Sequence, residues 1–119
     1  MSYQSLIVWQ KSLKLAEEIY RLTEGLPNTE KYAMADQMRR AAVSVPSNIA
    51  EGAERESVMD YTRFLTFAKG SVAELETQLI LCKRIGYLPA EKTDPIIVLC
   101  GEIKRILKTM ILKLKTKKE

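Results

Sequence analysis

Apolar residues recur along this chain at helical spacing in four long runs separated by short polar breaks. In the first run Leu6, Trp9, Leu13, Ala16 and Tyr20 follow one another three or four residues apart, and Val8, Leu15, Ile19 and Leu22 widen the apolar face. Ser2 or Ser5 can cap this helix, which the pattern predicts over about residues 5–24. Gly25 stops it and Pro27-Asn28 supplies a connection short enough to favour an antiparallel second helix. The second run is predicted from about 29 to 55 and the third from about 58 to 85, with Ser57 and Asp60 as a variant capping box. Phe64, Ala68, Ser71, Leu75, Gln78, Leu79 and Cys82 share one face of the third helix, with Phe67 and Ile85 at its margin. Gly70 and Ser71 thin it in the middle, where a neighbour can approach closely; Gly86 ends it. The fourth helix, about 90–116, has Ile96, Leu99, Ile103, Ile106, Met110 and Leu114 as its seam. Its start lies between Pro89 and Pro95, either with Asp94-Pro95 as cap and first residue or with Pro95 in a turn already begun. Four such helices with short connections predict an all-α, up-down-up-down four-helix bundle in a single domain.

The second helix contains the most unusual stretch, QMRRAAVSVPSNIAEG, residues 37–52. Met38, Ala42, Val45 and Ile49 fall within about 60° of one another on a helical wheel and form a core seam. Gln37, Arg40, Ser44, Asn48 and Glu51 fall in a second, polar wedge beside it. Pro46 costs about 3 kcal/mol in a helix interior and deprives the carbonyl of Ala42 of its usual donor. The apolar seam nevertheless keeps phase across the proline, so a continuous, kinked helix is expected. Two roles remain open for the polar stripe: a contact for another subunit or a ligand, or a network with Ser71 or Glu74 on the third helix.

This stretch resembles the signature of the bacterial four-helix bundle proteins called 23S rRNA intervening-sequence proteins. LIVWQKSLKLAEEIYRLTEGLP before it and FLTFAKGSVAELETQL after it are similar to the same family, in the same order. The likeness spans roughly Leu6 to Leu88. It implies a four-helix bundle that assembles into a pentameric ring, encoded within inserts of large-subunit ribosomal RNA. The chain is also similar to the bundle accessory proteins of diversity-generating retroelements, which partner a reverse transcriptase and nucleic acid.

Charge changes the picture at one end only. Residues 104–119 carry seven Lys or Arg and one Glu, a net of +6, whereas the first 103 residues carry 12 basic and 14 acidic residues, a net of −2. Arg39, Arg55, Arg63, Lys104, Arg105, Lys108, Lys113, Lys115, Lys117 and Lys118 are therefore the candidate contacts to nucleic-acid phosphate or a partner. The competing reading is a solvated surface with ion pairs such as Arg55 with Glu51. No cluster of exposed aromatics interleaved with basic residues is evident that would stack bases.

The chain has no histidine, which removes the commonest general base, the usual bundle metal ligand and every Ser-His or Cys-His pair. Without a phosphate loop or a nucleophile elbow as well, no enzyme, catalytic residue, metal or other cofactor is expected. Cys82 and Cys100 read as buried thiols, with a disulfide between the last two helices as the lesser alternative. No secretory signal or membrane span is apparent, so a cytoplasmic protein is expected, with no small-molecule substrate. These features favour a homo-oligomer, a pentamer by the resemblance, that binds RNA or a nucleoprotein; the alternative is a protein–protein adaptor.

Overall fold

The computed structural model describes residues 2–117. Among the described residues all regular structure is helical: α1 is Ile7–Thr23, α2 Met34–Ala53, α3 Val58–Arg84 and α4 Ala90–Lys117. Single 3-10 turns, Tyr3–Ser5 and Asn28–Glu30, precede α1 and α2. The helices pack in cyclic order, α1 on α2, α2 on α3, α3 on α4 and α4 back on α1. The result is a four-helix bundle 49 Å long and about 20 Å across. The connections are too short for parallel neighbours, so α1 and α3 run one way and α2 and α4 the other.

Local chemistry sets the ends. Ser2 caps the 3-10 turn, its Oγ accepting from the Gln4 N–H at 3.1 Å, so α1 starts two residues later than the periodicity suggests. The second helix begins at Met34, because Asn28–Glu30 closes as a 3-10 turn and Ala33 (φ −120°, ψ −92°) leaves the helical region. Ser57 Oγ accepts from the Asp60 N–H at 3.0 Å and caps α3. Gly86, at φ +82°, ends α3 in a paired closure. The Tyr87 N–H reaches the Cys82 carbonyl at 2.9 Å and the Gly86 N–H that of Lys83 at 3.2 Å. Helix α4 begins at Ala90, which leaves Pro95 and Asp94 inside it.

Leu15, Ile19, Met38, Ile49, Leu65, Leu75, Leu79, Ile103 and Leu107 are fully buried, each contributing about 1.5–3 kcal/mol of apolar transfer. Helix α2 is continuous through Pro46, with Met38, Ala42, Val45 and Ile49 all in the core. The seams of α1 and α4 are turned from those expected. Val8, Ser12, Leu15, Ile19 and Leu22 lead in α1, while Leu13 and Tyr20 are exposed. In α4 the centre is Ile96, Cys100, Ile103, Leu107 and Ile111; Leu99, Ile106, Met110 and Leu114 flank it. Ser12 hides this register in the sequence, since its hydroxyl is satisfied by the Val8 carbonyl at 2.7 Å and can therefore be buried.

The close approach between helices is at Gly52 rather than Gly70. A Cβ at Gly52 would lie 2.7 Å from Phe64 Cβ and 3.1 Å from Tyr61 Cδ1. Gly70 is exposed, and a Cβ there would meet nothing within 4 Å. Cys82 and Cys100 are both buried free thiols. Burial pushes the Cys100 thiol up to about 12, with Glu76 adding to the effect and Lys104 opposing it.

Candidate nucleic-acid interface

The nine basic candidates among the described residues do not form one surface. Lys104, Arg105 and Lys108 line a groove of about 390 Å³ between α3 and α4, together with Gly101 and Lys69. Lys104 is anchored there by Glu76 on α3, Nζ to Oε1 2.6 Å, with the Glu76 side chain largely buried. Lys115 lies about three turns beyond Lys104 and shares its side of α4. Arg105, Lys108 and Lys115 have no ion pair among the described residues. Lys113 lies about three turns from Glu102, which pairs with Lys11 of α1 at 3.1 Å, so it points to the α1 side instead. Lys117 is exposed near the end of α4, and Lys118 lies outside the described residues.

Lys69 was not among the candidates. It is separated from Glu76 by two helical turns, so the phase of α3 could have placed it on the α4 side once the pairing of these helices was known.

Arg39 is not available to a phosphate in the way its charge suggested. Its Nε donates to Thr23 Oγ1 at 2.8 Å and its Nη2 to the Tyr20 carbonyl at 3.2 Å, while the guanidinium lies 4.8 Å from the Tyr20 ring centre. It is a clamp from α2 onto the C-terminal turn of α1, where a cation also opposes the helix dipole. Arg55 and Arg63 converge on Phe64, 4.7 and 5.5 Å from its ring centre, and each has a carboxylate one turn away. Arg55 pairs with Glu51 at 2.9 Å and Arg63 with Asp60 at 3.4 Å. The half-exposed ring of Phe67 meets buried Phe64 edge-on at 5.7 Å, so aromatic and basic side chains adjoin here with Phe67 as the exposed ring of the pair.

The polar stripe faces solvent beside α3. Arg40, its side chain 79% exposed, pairs with Asp36 on its own helix at 3.1 Å. Ser44 Oγ donates to the Ala41 carbonyl at 2.7 Å, and Asn48 Nδ2 to the Ser44 carbonyl at 2.7 Å. Gln37 and Glu51 are exposed. Among the described residues no stripe side chain hydrogen-bonds to α3, so of the two roles left open the network with Ser71 or Glu74 is absent. The cause is local: Arg40, Ser44, Asn48 and Glu51 each find a partner about one turn away along α2, and Gln37 is exposed to solvent.

On the other flank of α2, α1 and α2 form a shallow, largely apolar groove lined by Trp9, Leu13, Ala16, Val43, Pro46 and Ala50, with Tyr3 and Ser47 as its polar members. Pro46 thus places its ring against α1. No cluster that could hold a metal ion occurs among the described residues, and none of their helices is long and apolar enough to cross a membrane.

Comparison with known proteins agrees with this architecture. Residues 4–109 match the 23S rRNA-intervening sequence protein family. A crystal structure of a protein of unknown function from the S23 ribosomal protein family, from Bacteroides thetaiotaomicron, superimposes with a TM-score of 0.83. It is 31% identical, over 88% of this chain and 98% of that one. No curated protein matches the chain. Neither match bears on the similarity to retroelement accessory proteins. With the family match covering most of its length and the bundle superimposing, the chain belongs to the 23S rRNA-intervening sequence protein family.

Proposed function

We propose that this chain is a non-enzymatic, self-associating bundle that binds RNA through the α3–α4 groove. The observation that carries the reading is the convergence of Lys69, Lys104, Arg105 and Lys108 on one groove, where Glu76 is the paired acid. Cations set along a groove track a phosphate backbone without reading sequence, and their energy comes from released counterions. The family's name associates it with a ribosomal RNA insert, which is compatible with RNA as the ligand.

Self-association would use the opposite side. The groove of Trp9, Leu13, Val43 and Pro46 is apolar, continues towards exposed Tyr20, and lies across the bundle from the basic groove. A ring joined through it would repeat the basic grooves around its circumference; five subunits is the number the family resemblance implies. Light scattering at micromolar concentration should give a multiple of the 13.6 kDa chain, reduced by Val43→Glu. A monomeric mass for the parent would refute self-association.

The RNA reading is tested by fluorescence anisotropy with labelled single-stranded RNA at several salt concentrations. Each phosphate contact should steepen log K against log salt by ~0.7. Replacing Lys69, Lys104, Arg105 and Lys108 together by Gln should flatten that slope by roughly 2, the share of the three cations other than Lys104, which Glu76 already neutralises. If the parent retains no RNA at low salt, the chain is better read as a protein–protein adaptor.

A further inference from the structure

The basic groove lies on one flank of α3, and an aromatic cluster lies on the other. Phe67 is 49% exposed, and its ring stands at 83° to that of Phe64. Arg63 lies 5.5 Å from the Phe64 ring centre and 6.0 Å from that of Phe67, while Arg55 lies 4.7 Å from Phe64. Glu51 and Asp60 hold these arginines and cancel their net charge. The cluster is therefore poor at attracting phosphate but presents the half-exposed Phe67 ring, set against buried Phe64 and the Arg63 guanidinium.

Between groove and ring, the outer ridge of α3 is built from Thr66, Gly70 and Ala73, all exposed. A Cβ at Gly70 would touch nothing, so the ridge is lowest there. Helix width sets the distance from groove to ring on the order of 10 Å, a span that a short single strand can cross. A duplex cannot make the same crossing, because its bases remain stacked inside it and only its phosphates are offered.

We propose that α3 is a single-strand-selective ridge: phosphates lie in the Lys69–Lys104–Arg105–Lys108 groove, and an unpaired base crosses at Gly70 to stack on Phe67. The inference rests on the RNA reading above and adds to it a reason for preferring unpaired RNA. Aromatic stacking tolerates any base, so no sequence preference is required.

The test measures binding of a labelled oligouridine and of a short RNA duplex to the full chain and to Phe67→Leu and Phe67→Trp. Leucine keeps the apolar bulk without a π face, and circular dichroism melts check that both variants fold. Phe67→Leu should weaken the single strand about 5- to 100-fold, leave the duplex within about twofold and leave the salt slope unchanged, since no charge is altered. Phe67→Trp should bind the single strand at least as tightly as the parent. If Phe67→Leu binds the single strand like the parent, or loses both RNAs equally, the ridge is refuted. If it binds the single strand like the parent while the four-Gln groove variant loses RNA, the groove reading survives alone. Failure of the parent to bind either RNA overturns both.

Discussion

The same substitution, glycine to alanine, should have opposite effects at two places in this bundle. At Gly52 the added methyl carbon would sit 2.7 Å from Phe64 Cβ, an atom next to the α3 backbone that no side-chain rotation can remove. It would also lie 3.3 Å from the Tyr61 carbonyl oxygen. Ordinary contact needs about 3.5–4.0 Å, so α2 and α3 must separate by roughly 1 Å. Overpacking of this kind costs about 1–3 kcal/mol, against which alanine regains about 1 kcal/mol of helix propensity. The net expectation is a loss of up to about 2 kcal/mol, towards the upper end because the 2.7 Å contact is with an atom fixed to the backbone. Gly70→Ala pays no steric cost and should gain about 0.5–1 kcal/mol. Urea unfolding followed by far-ultraviolet circular dichroism gives both values, with thermal midpoints moving about 3–6 °C per kcal/mol for a domain this size. A Gly52→Ala protein as stable as the parent, or a destabilised Gly70→Ala, would refute the placement of the close approach.

Adjacent arginines should behave differently. Arg39→Ala removes bonds to Thr23 and to the Tyr20 carbonyl and should cost about 1–2 kcal/mol. Arg40→Ala removes an exposed pair with Asp36 and should change stability by less than about 1 kcal/mol; urea midpoints of equal size for the two would contradict the clamp. Alkaline pH should destabilise the fold. Below about pH 9 the Cys100 thiol is protonated whether folded or unfolded; above it the unfolded thiol ionises, while the folded one resists to about 12. Stability should therefore fall as pH rises through that window, with burial and Glu30 adding a raised Cys82 in the same direction. Urea midpoints at about pH 8 and pH 10 should show the decline, less steeply in Cys100→Ala; an identical decline in that variant would exclude the thiol as its source.

How much was legible from sequence depends on the kind of information each residue carries. Unbroken phase from Met38 to Ile49 revealed that α2 runs through Pro46, because a helical period survives any local loss of one hydrogen bond. The seams of α1 and α4 were harder to place. Their apolar arcs are wide, and which part faces inward is decided by neighbouring helices; Ser12, polar but satisfied, sits at the buried centre. Glycine in a sequence marks either a close approach or merely an open position. Gly52 and Gly70 differ only in what stands opposite them, and that is tertiary information.

The candidate site was legible residue by residue but not as a surface. The basic end of α4 was visible in composition, whereas the contribution of Lys69 depends on how α3 lies against α4. Arg39 looked like a phosphate contact because charge is all the sequence offers; its hydrogen bonds to α1 depend on the α1–α2 pairing. For the polar stripe the sequence left a subunit or ligand contact and a network with α3 both open; Ser44 and Asn48 instead bond along α2, which removes the network. Phe67 was placed at the margin of the apolar face of α3, but the convergence of Arg55 and Arg63 on its neighbour Phe64 arises only once α2 turns back into α3.

The central claim is that RNA lies in the α3–α4 groove, and photochemical cross-linking followed by peptide mass spectrometry tests it most directly. The parent chain would be irradiated with RNA carrying photoreactive uridine, at low salt and in its native assembly. Cross-links concentrated at Lys69, Lys104, Arg105 and Lys108 and on neighbouring α3 residues, lost in the four-Gln variant, are the predicted result. Cross-links confined to the α1–α2 side, or unchanged in that variant, would contradict it.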